Sequence, residues 1–471
     1  MKLLFVSLGC DKNLVDSEEM LGLLTGNGFE IVDDETEAEA IVVNTCCFIG
    51  DAKEESINTL IEIGQLKETA NVKMLIAAGC LAQRYRKEIR EQIPEVDVII
   101  GTMAIDKIVE AVEEYQTKQY TTFVEDIDRT PVSGKKRVVT TGGHYAYMKI
   151  AEGCDKRCSY CIIPKVRGSY RSIPMETLLK EANTLVEQGV KELILVAQET
   201  TLYGTDLYGK KSLPELLRKL SEIRGLYWIR ILYCYPEEIT EELIDTIAEL
   251  PKVCHYLDIP IQHASDKILK RMGRRTNQQQ LKDKIAMIRS KIPDMCLRTT
   301  LITGFPGESQ EDHEQSMAFV DEMEFDRLGV FTYSAEEDTP AAGFPDQIEE
   351  EIKKDRQADI MELQQEIAFE KAEGMTGQDV LVMIEGKVAD ENAYVGRTYK
   401  DAPNVDGLVF VNTDRELMTG DFVPVHITGS YEYDLIGEIK DENEFTKQTD
   451  NTQSDHGTVF CGIFTSDTVS Y

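Results

Sequence analysis

Nowhere in the 471 residues does an apolar run approach the roughly 18 that cross a membrane. The start, Met1–Cys10, carries an apolar run of only about eight residues. Asp11-Lys12-Asn13 ends it without a small-residue cleavage site, so it reads as a first core strand and not as a signal peptide. Positive charge is also short. Only 51 Lys and Arg stand against 85 Asp and Glu, a formal net charge of −34. This balance repels nucleic acid unless a local basic patch overrides it, and it favours a basic partner.

A fourth cysteine is missing where it matters most. The run from Gly153 to Cys161 places Cys154, Cys158 and Cys161 as C-x3-C-x2-C. Three thiolates on one tight loop can each hold one iron of a [4Fe–4S] cluster, whereas an ordinary electron-transfer cluster takes four cysteines. One short leaves an iron with an open position for a small molecule. Zinc is the main rival, but zinc pairs usually come as C-x2-C or C-x4-C with a distant second pair. No matching second pair follows. Thiols that must stay reduced to bind iron predict a cytosolic compartment.

The chain divides into regions. Residues 1–120 alternate short apolar runs (Lys2–Leu8, Ala40–Asn44, Val72–Ala78, Val96–Gly101) with helical patterns, among them Asn13–Gly26 and Ala82–Gln92. This predicts an α/β domain with a parallel sheet covered on both faces. Residues 121–143, with Pro131, Ser133-Gly134 and Gly142-Gly143, read as a linker. Residues 144–372 repeat the alternation with six strand candidates, from Ala146–Ala151 to Arg327–Tyr333. Six units predict an open, partial (β/α)6 barrel, with the cysteine loop at the strand ends where barrel sites form. A long charged helix, Ile348–Glu373, closes this region. Residues 374–440 read as five short strands, a small antiparallel OB-like β-barrel. Residues 441–471 are polar and read as a disordered tail, apart from an unexplained apolar island at Val459–Phe464.

A second cysteine set emerges from this placement. Cys10, Cys46 and Cys80 each lie just past a predicted strand of the first region. In a parallel sheet the carboxyl ends share one edge, where ligands bind. Each could instead be a small buried hydrophobe, the usual role of a free Cys. Their equivalent positions beside turn residues favour a second three-cysteine cluster. Cys47 is a substitute for Cys46, but a strand alternates its side chains, so only one of the pair should face the site. Cys234, Cys254, Cys296 and Cys461 show no ligand spacing and are assigned to packing.

These cysteine sets and their order of domains resemble the methylthiotransferase family of radical S-adenosylmethionine (SAM) enzymes, over about residues 1–440. Tyr160 before the last loop cysteine is part of the likeness. The stretches Val6–Glu18, Pro260–Ser265, Phe331–Glu337 and Gly396–Pro403 look like the branch that modifies a ribosomal protein. Cys47 stands where that family usually has a small residue, and the tail is longer than expected.

The resemblance implies two [4Fe–4S] clusters, SAM as cofactor and a TRAM-type C-terminal barrel. It implies Cys154, Cys158 and Cys161 as ligands of the SAM-binding cluster, and Cys10, Cys46 and Cys80 as ligands of a sulfur-carrying one. One electron from a cellular donor would cleave SAM to a 5′-deoxyadenosyl radical. The radical would take hydrogen from the β-carbon of an aspartate in the small-subunit ribosomal protein numbered twelve, and a methylthio group would replace it. A cytoplasmic monomer with no membrane partner and no sequence-specific nucleic acid is expected.

For SAM itself, Glu199 is expected to receive the ammonium, and Gly304 and Gly307 to permit close backbone approach. Tyr160, Phe331 and Tyr333 are expected to flank the adenine. Turn chemistry and core packing are the plainer readings of these residues. Gln262-His263, at a strand end, is a weaker candidate to face the site. A sibling class modifies transfer RNA with the same clusters. Against it, residues 374–440 hold twelve acidic and five basic residues, unlike the basic groove an RNA-binding barrel needs. Asp401, Asp406 and Asp414 are taken as part of that acidic surface. A non-enzymatic iron–sulfur electron carrier would want closed four-cysteine clusters.

Overall fold

The computed structural model describes residues 1–440 except 116, 117, 119, 132, 133, 135 and 136. The tail at 441–471, with Cys461 and the apolar island, lies outside the described residues.

The first domain is a parallel sheet of β1 (Lys2–Ser7), β2 (Glu30–Ile31), β3 (Ala40–Thr45), β4 (Met74–Ala78), β5 (Val98–Ile100) and β6 (Thr121–Phe123). The strand order is β2-β1-β3-β4-β5-β6. β3 and β4 are buried at every residue, as central strands covered on both faces must be. One apolar core gathers round Ile41, Val43 and Leu75, and the other round Val42, Met74 and Ile76 on the opposite face. The two edge strands were not read from the sequence, and β6 opens the stretch assigned to the linker. The single helix expected at Ala82–Gln92 is two, Gly79–Arg84 and Arg86–Gln92, parted at Tyr85. Cys80 therefore sits in a helical first turn.

The second domain holds β7 (Tyr145–Lys149), the short antiparallel pair β8 (Ala151–Glu152) and β9 (Arg171–Ser172), then β10 (Glu192–Val196), β11 (Trp228–Ile231), β12 (Val253–Asp258), β13 (Cys296–Thr303) and β14 (Arg327–Thr332). Six of these form an open parallel sheet in the order β7-β10-β11-β12-β13-β14. Side chains alternate cleanly. Ala146, Met148, Leu193, Leu195, Ile229 and Ile231 pack under the outer helices. Tyr145, Tyr147, Ile194, Val196, Trp228 and Tyr256 point to the other face. There they meet Val15 of the first domain and Met383 and Ala402 of the third. The predicted long helix runs Glu350–Glu373 and packs on β14.

The third domain is a closed barrel of β15 (Asp379–Lys387), β16 (Ala393–Arg397), β17 (Val409–Asn412), β18 (Phe422–Tyr431) and β19 (Asp434–Ile439), in the order β15-β16-β17-β19-β18. It is not wholly antiparallel as expected, because β17 and β19 pair in parallel. The chain crosses from β17 to β18, and the β18–β19 hairpin then brings β19 back into the remaining gap. This barrel seals the amino-terminal end of the central strands. Glu192 accepts from Arg230 Nε at 2.7 Å and from Arg397 Nη2 at 2.8 Å, all three fully buried. Burial disfavours the Glu192 carboxylate, but Arg397 and Arg230 outweigh it and hold the carboxyl below its usual range.

Two acids assigned to the barrel surface belong to this seal. Asp401 and Asp406 are withdrawn from solvent, pairing with Arg327 at 2.6 Å and with the Tyr256 hydroxyl at 2.8 Å. Charges on a loop packed into a neighbouring domain look like surface charges in a linear sequence. Asp414 is exposed, as expected, with Asp390, Glu391, Glu416, Glu432 and Glu438.

Removing one partner of a buried ion network strands the others. Glu192→Ala is expected to cost about 3–5 kcal/mol, read as a lower denaturation midpoint. An unchanged midpoint would show that the seal carries no stability.

Candidate functional site

The carboxyl ends of the central strands face the carboxyl edge of the first sheet. Tyr233, just after β11, donates its hydroxyl to Asp11 Oδ2 at 3.0 Å. Ser334 Oγ accepts from Gly50 N at 3.2 Å, and Arg84 donates to Glu336 at 3.0 Å. The run Phe331–Glu337, noted in the sequence, thus clamps the two domains. Both cysteine sets lie at this junction.

The Cys154–Cys161 loop leaves β8 and is folded back at Gly153, where φ is +78°. A Cβ there would lie 2.0 Å from the Ser169 carbonyl oxygen, so only glycine fits. Cys154 N donates to Gly168 O at 3.1 Å, and Cys161 N to Cys158 O at 3.0 Å. Ser159 N donates to Met272 O at 2.9 Å, pinning the loop to the segment after the helix Asp266–Arg271. Cys154 and Cys158 are buried and Cys161 is partly so. Burial pushes the Cys154 thiol up to about 11 and raises Cys161 as well. Metal binding to these groups therefore releases protons.

In the first domain Cys10 precedes the helix Asp11–Gly26 and is exposed, while Cys46 and Cys80 are buried. Gly9 packs against Cys46, whose Sγ would be 3.0 Å from a Cβ built on it. Asn13 holds the three segments together. Its amide donates to Leu8 O and Thr45 O, each at 3.0 Å, and the Cys80 thiol lies 3.7 Å from its Oδ1. Burial raises Cys46 and Cys80, and the Arg167 guanidinium opposes it at both. Cys47 lies beside Arg84 and Glu336 and also shares a buried cluster with Cys80, and burial pushes its thiol up to about 12. Both cysteines lie past the end of β3 at Thr45, so the turn after the strand, and not the strand alternation expected, sets their different surroundings.

One residue ties the two sets together. Arg167, six positions past Cys161, is fully buried and donates to Asp16 at 2.7 Å and Glu152 at 3.3 Å, and also to Asn13. Lys149 joins Asp16 and Glu152 to close the network.

The expected SAM contacts divide. Glu199 is completely buried. Its Oε1 accepts from Thr201, while Oε2 has no partner among the described residues. Burial pushes its carboxyl up to about 7. Tyr160 and Tyr333 flank Phe305 edge-on at 6.4 and 5.2 Å. Phe331 lies apart from that cluster and is half exposed on β14. A Cβ on Gly304 would strike Lys353 and one on Gly307 would strike Arg271, which gives both glycines packing reasons. His263 is buried against Ser265, Ser316 and Glu308, a structural role. Gln262 takes a left-handed backbone, φ +73°, at the rim.

Sequence reasoning missed Arg274, Tyr235 and Phe305. Arg274 stacks on Tyr235 at 4.3 Å and donates to Pro260 O at 2.9 Å, with Glu237 at 4.0 Å. Its Nε and Nη1 are buried without a partner. Tyr235 Oη is 3.7 Å from Cys158 Sγ. Nothing local in Met272–Thr276 signals this, because only the fold brings that turn to the cysteine loop.

Among the described residues no three ligating side chains converge on a point, as a single metal ion requires. A cubane asks for something else, since each thiolate binds a different iron. The donor chemistry fits: three thiols per set, with a buried acceptor on Glu199 and buried donors on Arg274 beside the loop.

Residues 2–101 match the uncharacterized protein family UPF0004, 148–320 the radical SAM superfamily and 376–439 the TRAM domain. This arrangement defines a radical SAM enzyme of the methylthiotransferase class. The ribosomal protein uS12 methylthiotransferase RimO of Lachnoclostridium phytofermentans is 61% identical over 437 residues, covering 93% of this chain and 99% of the relative. Its counterpart from Acetivibrio thermocellus is 50% identical over 445 residues, covering 93% and 98%. The chain belongs to the RimO family of ribosomal protein uS12 methylthiotransferases. In fold it resembles the radical SAM methyltransferase TsrM from Kitasatospora setae, solved with tryptophan and a SAM analogue (TM-score 0.52, 14% identity, 81% of this chain and 78% of that one).

If each set holds one cluster, reconstituted protein carries about eight irons. Cys46→Ala is expected to move that count toward about four, and Cys47→Ala to leave it unchanged. Equal losses from the two substitutions would contradict Cys46 as the ligand of the pair.

Proposed function

We propose that this enzyme adds a methylthio group to the β-carbon of an aspartate in ribosomal protein uS12. The observation that carries the reading is the near-full-length identity to RimO proteins, in a chain that presents two three-cysteine sets to one junction. Cys154, Cys158 and Cys161 would hold the SAM-binding [4Fe–4S] cluster, and Cys10, Cys46 and Cys80 a second one. When bound, these groups supply the hydrogen-abstracting radical and the sulfur, chemistry no side chain can perform.

The protein's own part is binding, orientation and exclusion of water. Glu199 Oε2 is suited to the ammonium of SAM, and the unpaired Arg274 N–H groups to its carboxylate. Phe305, between Tyr160 and Tyr333, provides an apolar wall. The first domain covers the barrel mouth through Tyr233–Asp11 and Arg84–Glu336, which shields a reactive intermediate from side reactions. The exposed acids of the third domain favour a basic protein over RNA. The same reading makes the enzyme a cytoplasmic monomer served by a one-electron donor.

Two measurements test this. Offered uS12 and transfer RNA side by side, the reduced holoenzyme is expected to yield methylthio-aspartate by mass spectrometry. Methylthiolated nucleoside without it would promote the transfer RNA reading. Second, the SAM ammonium needs the ionised form of Glu199, whose carboxyl sits near 7. SAM affinity is expected to rise about tenfold per unit as pH climbs toward 7 and then level off. Glu199→Gln should flatten that profile. A slope that survives the substitution would remove Glu199 from the site.

A further inference from the structure

One of the three loop cysteines is met by a side chain from a distant strand end. The sulfurs of Cys154 and Cys161 take backbone N–H groups from two residues on. Lys156 N donates to Cys154 Sγ at 3.5 Å, and Ile163 N donates to Cys161. Any residue but proline at those positions supplies the same contact. Cys158 differs. The Tyr235 hydroxyl lies 3.7 Å from its Sγ and makes no other hydrogen bond among the described residues. A phenol keeps its proton at neutral pH, and a sulfur bound to iron is a thiolate with none. Tyr235 is therefore the donor once Cys158 serves as a ligand. The Tyr160 hydroxyl also reaches this sulfur. Its ring, however, stands in the apolar wall beside Phe305.

The surroundings hold that hydroxyl in place. Tyr235 follows β11 and leads into the short turn Pro236–Glu238. Arg274 lies over its ring at 4.3 Å from the centre, and Lys156 at 5.2 Å. Both cations are anchored by acids of that same turn. Lys156 pairs with Glu237 at 3.4 Å and with Glu238, and Arg274 has Glu237 at 4.0 Å. A cation over an aromatic face is attracted to it. Ring, turn and the start of the cysteine loop thus form one unit, in which the hydroxyl has a fixed aim at Cys158.

We infer that Tyr235, by donating its hydroxyl to the Cys158 thiolate, raises the reduction potential of the iron–sulfur cluster held by Cys154, Cys158 and Cys161. This rests on the ligand assignment proposed above. The physical reason is charge. Reduction adds one electron, and a hydrogen bond to a ligating sulfur stabilises the more negative form more. No bond at Tyr235 forms or breaks, and its proton stays on oxygen. Tyr235 acts through the cysteine, as a positioning residue, and is separate from the SAM contacts assigned to Glu199 and Arg274. It sets how readily a one-electron donor loads the site.

The test is a redox titration of the reconstituted holoenzyme, followed by electron paramagnetic resonance. The signal of this cluster is the one that a non-cleavable SAM analogue shifts. Tyr235→Phe keeps the ring and loses only the hydroxyl. At a fixed ambient potential it is expected to lower the reduced-to-oxidised ratio of that signal about tenfold, a fall of about 59 mV for one electron. Tyr235→Leu, a second variant, should fall at least as far. Iron content and thermal midpoint, measured on each variant, establish that it is folded and loaded. Affinity for the analogue should hold in Tyr235→Phe, whose ring still supports Arg274. A loaded Tyr235→Phe with an unmoved potential would overturn the inference. So would a loss of analogue affinity with no change in potential, or a fall seen in Tyr160→Phe alone. If no signal of the wild-type enzyme responds to the analogue, the ligand assignment fails and this inference with it. A responding signal whose potential ignores Tyr235 defeats the tyrosine alone.

Discussion

The buried guanidinium of Arg167 is the contact on which the site depends. A charge removed from water must be paired, and its partners here come from two domains: Asp16 and Asn13 from the first, Glu152 from the second. Lys149 completes the set, so two cations face two carboxylates. Such a group has few arrangements in which every member is satisfied. It therefore fixes how the first sheet sits on the barrel, and with it the relation of the two cysteine sets. Asn13 serves twice, as an acceptor for Arg167 and as the strut that gathers the Cys10, Cys46 and Cys80 segments.

The barrel is closed differently at its two ends. At the amino end, the third domain seals it with the buried network of Glu192, Arg230 and Arg397. At the carboxyl end, the first domain covers it through the Arg167 network and through contacts nearer the rim, among them Tyr233 with Asp11 and Gly50 with Ser334. Chemistry belongs at the second end. There the strand-end loops bring together the cysteine loop, the buried Glu199 carboxylate and the unpaired Arg274 and Tyr333 groups.

Some backbone strain lies at this end, as it does in turns elsewhere in the molecule, Asp390, Asn404 and Glu432 among them. Arg157, Tyr233 and Gln262 all adopt left-handed backbones at this rim. Each lies on a different strand-end loop, and each turn is enforced by the contacts around it. The regular strands supply rigidity, and the loops spend part of it on placing particular side chains.

Much of this was legible in the sequence because it is local. Apolar runs of strand length separated by helical periodicity place all six central strands, and five alternating runs place the small barrel. The cysteine spacing C-x3-C-x2-C needs only one loop. The remainder depends on distant segments meeting. Asp401 and Asp406 look like surface charges until a neighbouring domain covers them. Gly304 and Gly307 read as turns in the chain, and only the fold shows Lys353 and Arg271 packed where a Cβ would stand. Arg274 and Arg167 are ordinary basic residues in the chain, with no spacing to mark them. Pairing, burial and a missing partner are properties of surroundings, and only tertiary structure supplies surroundings.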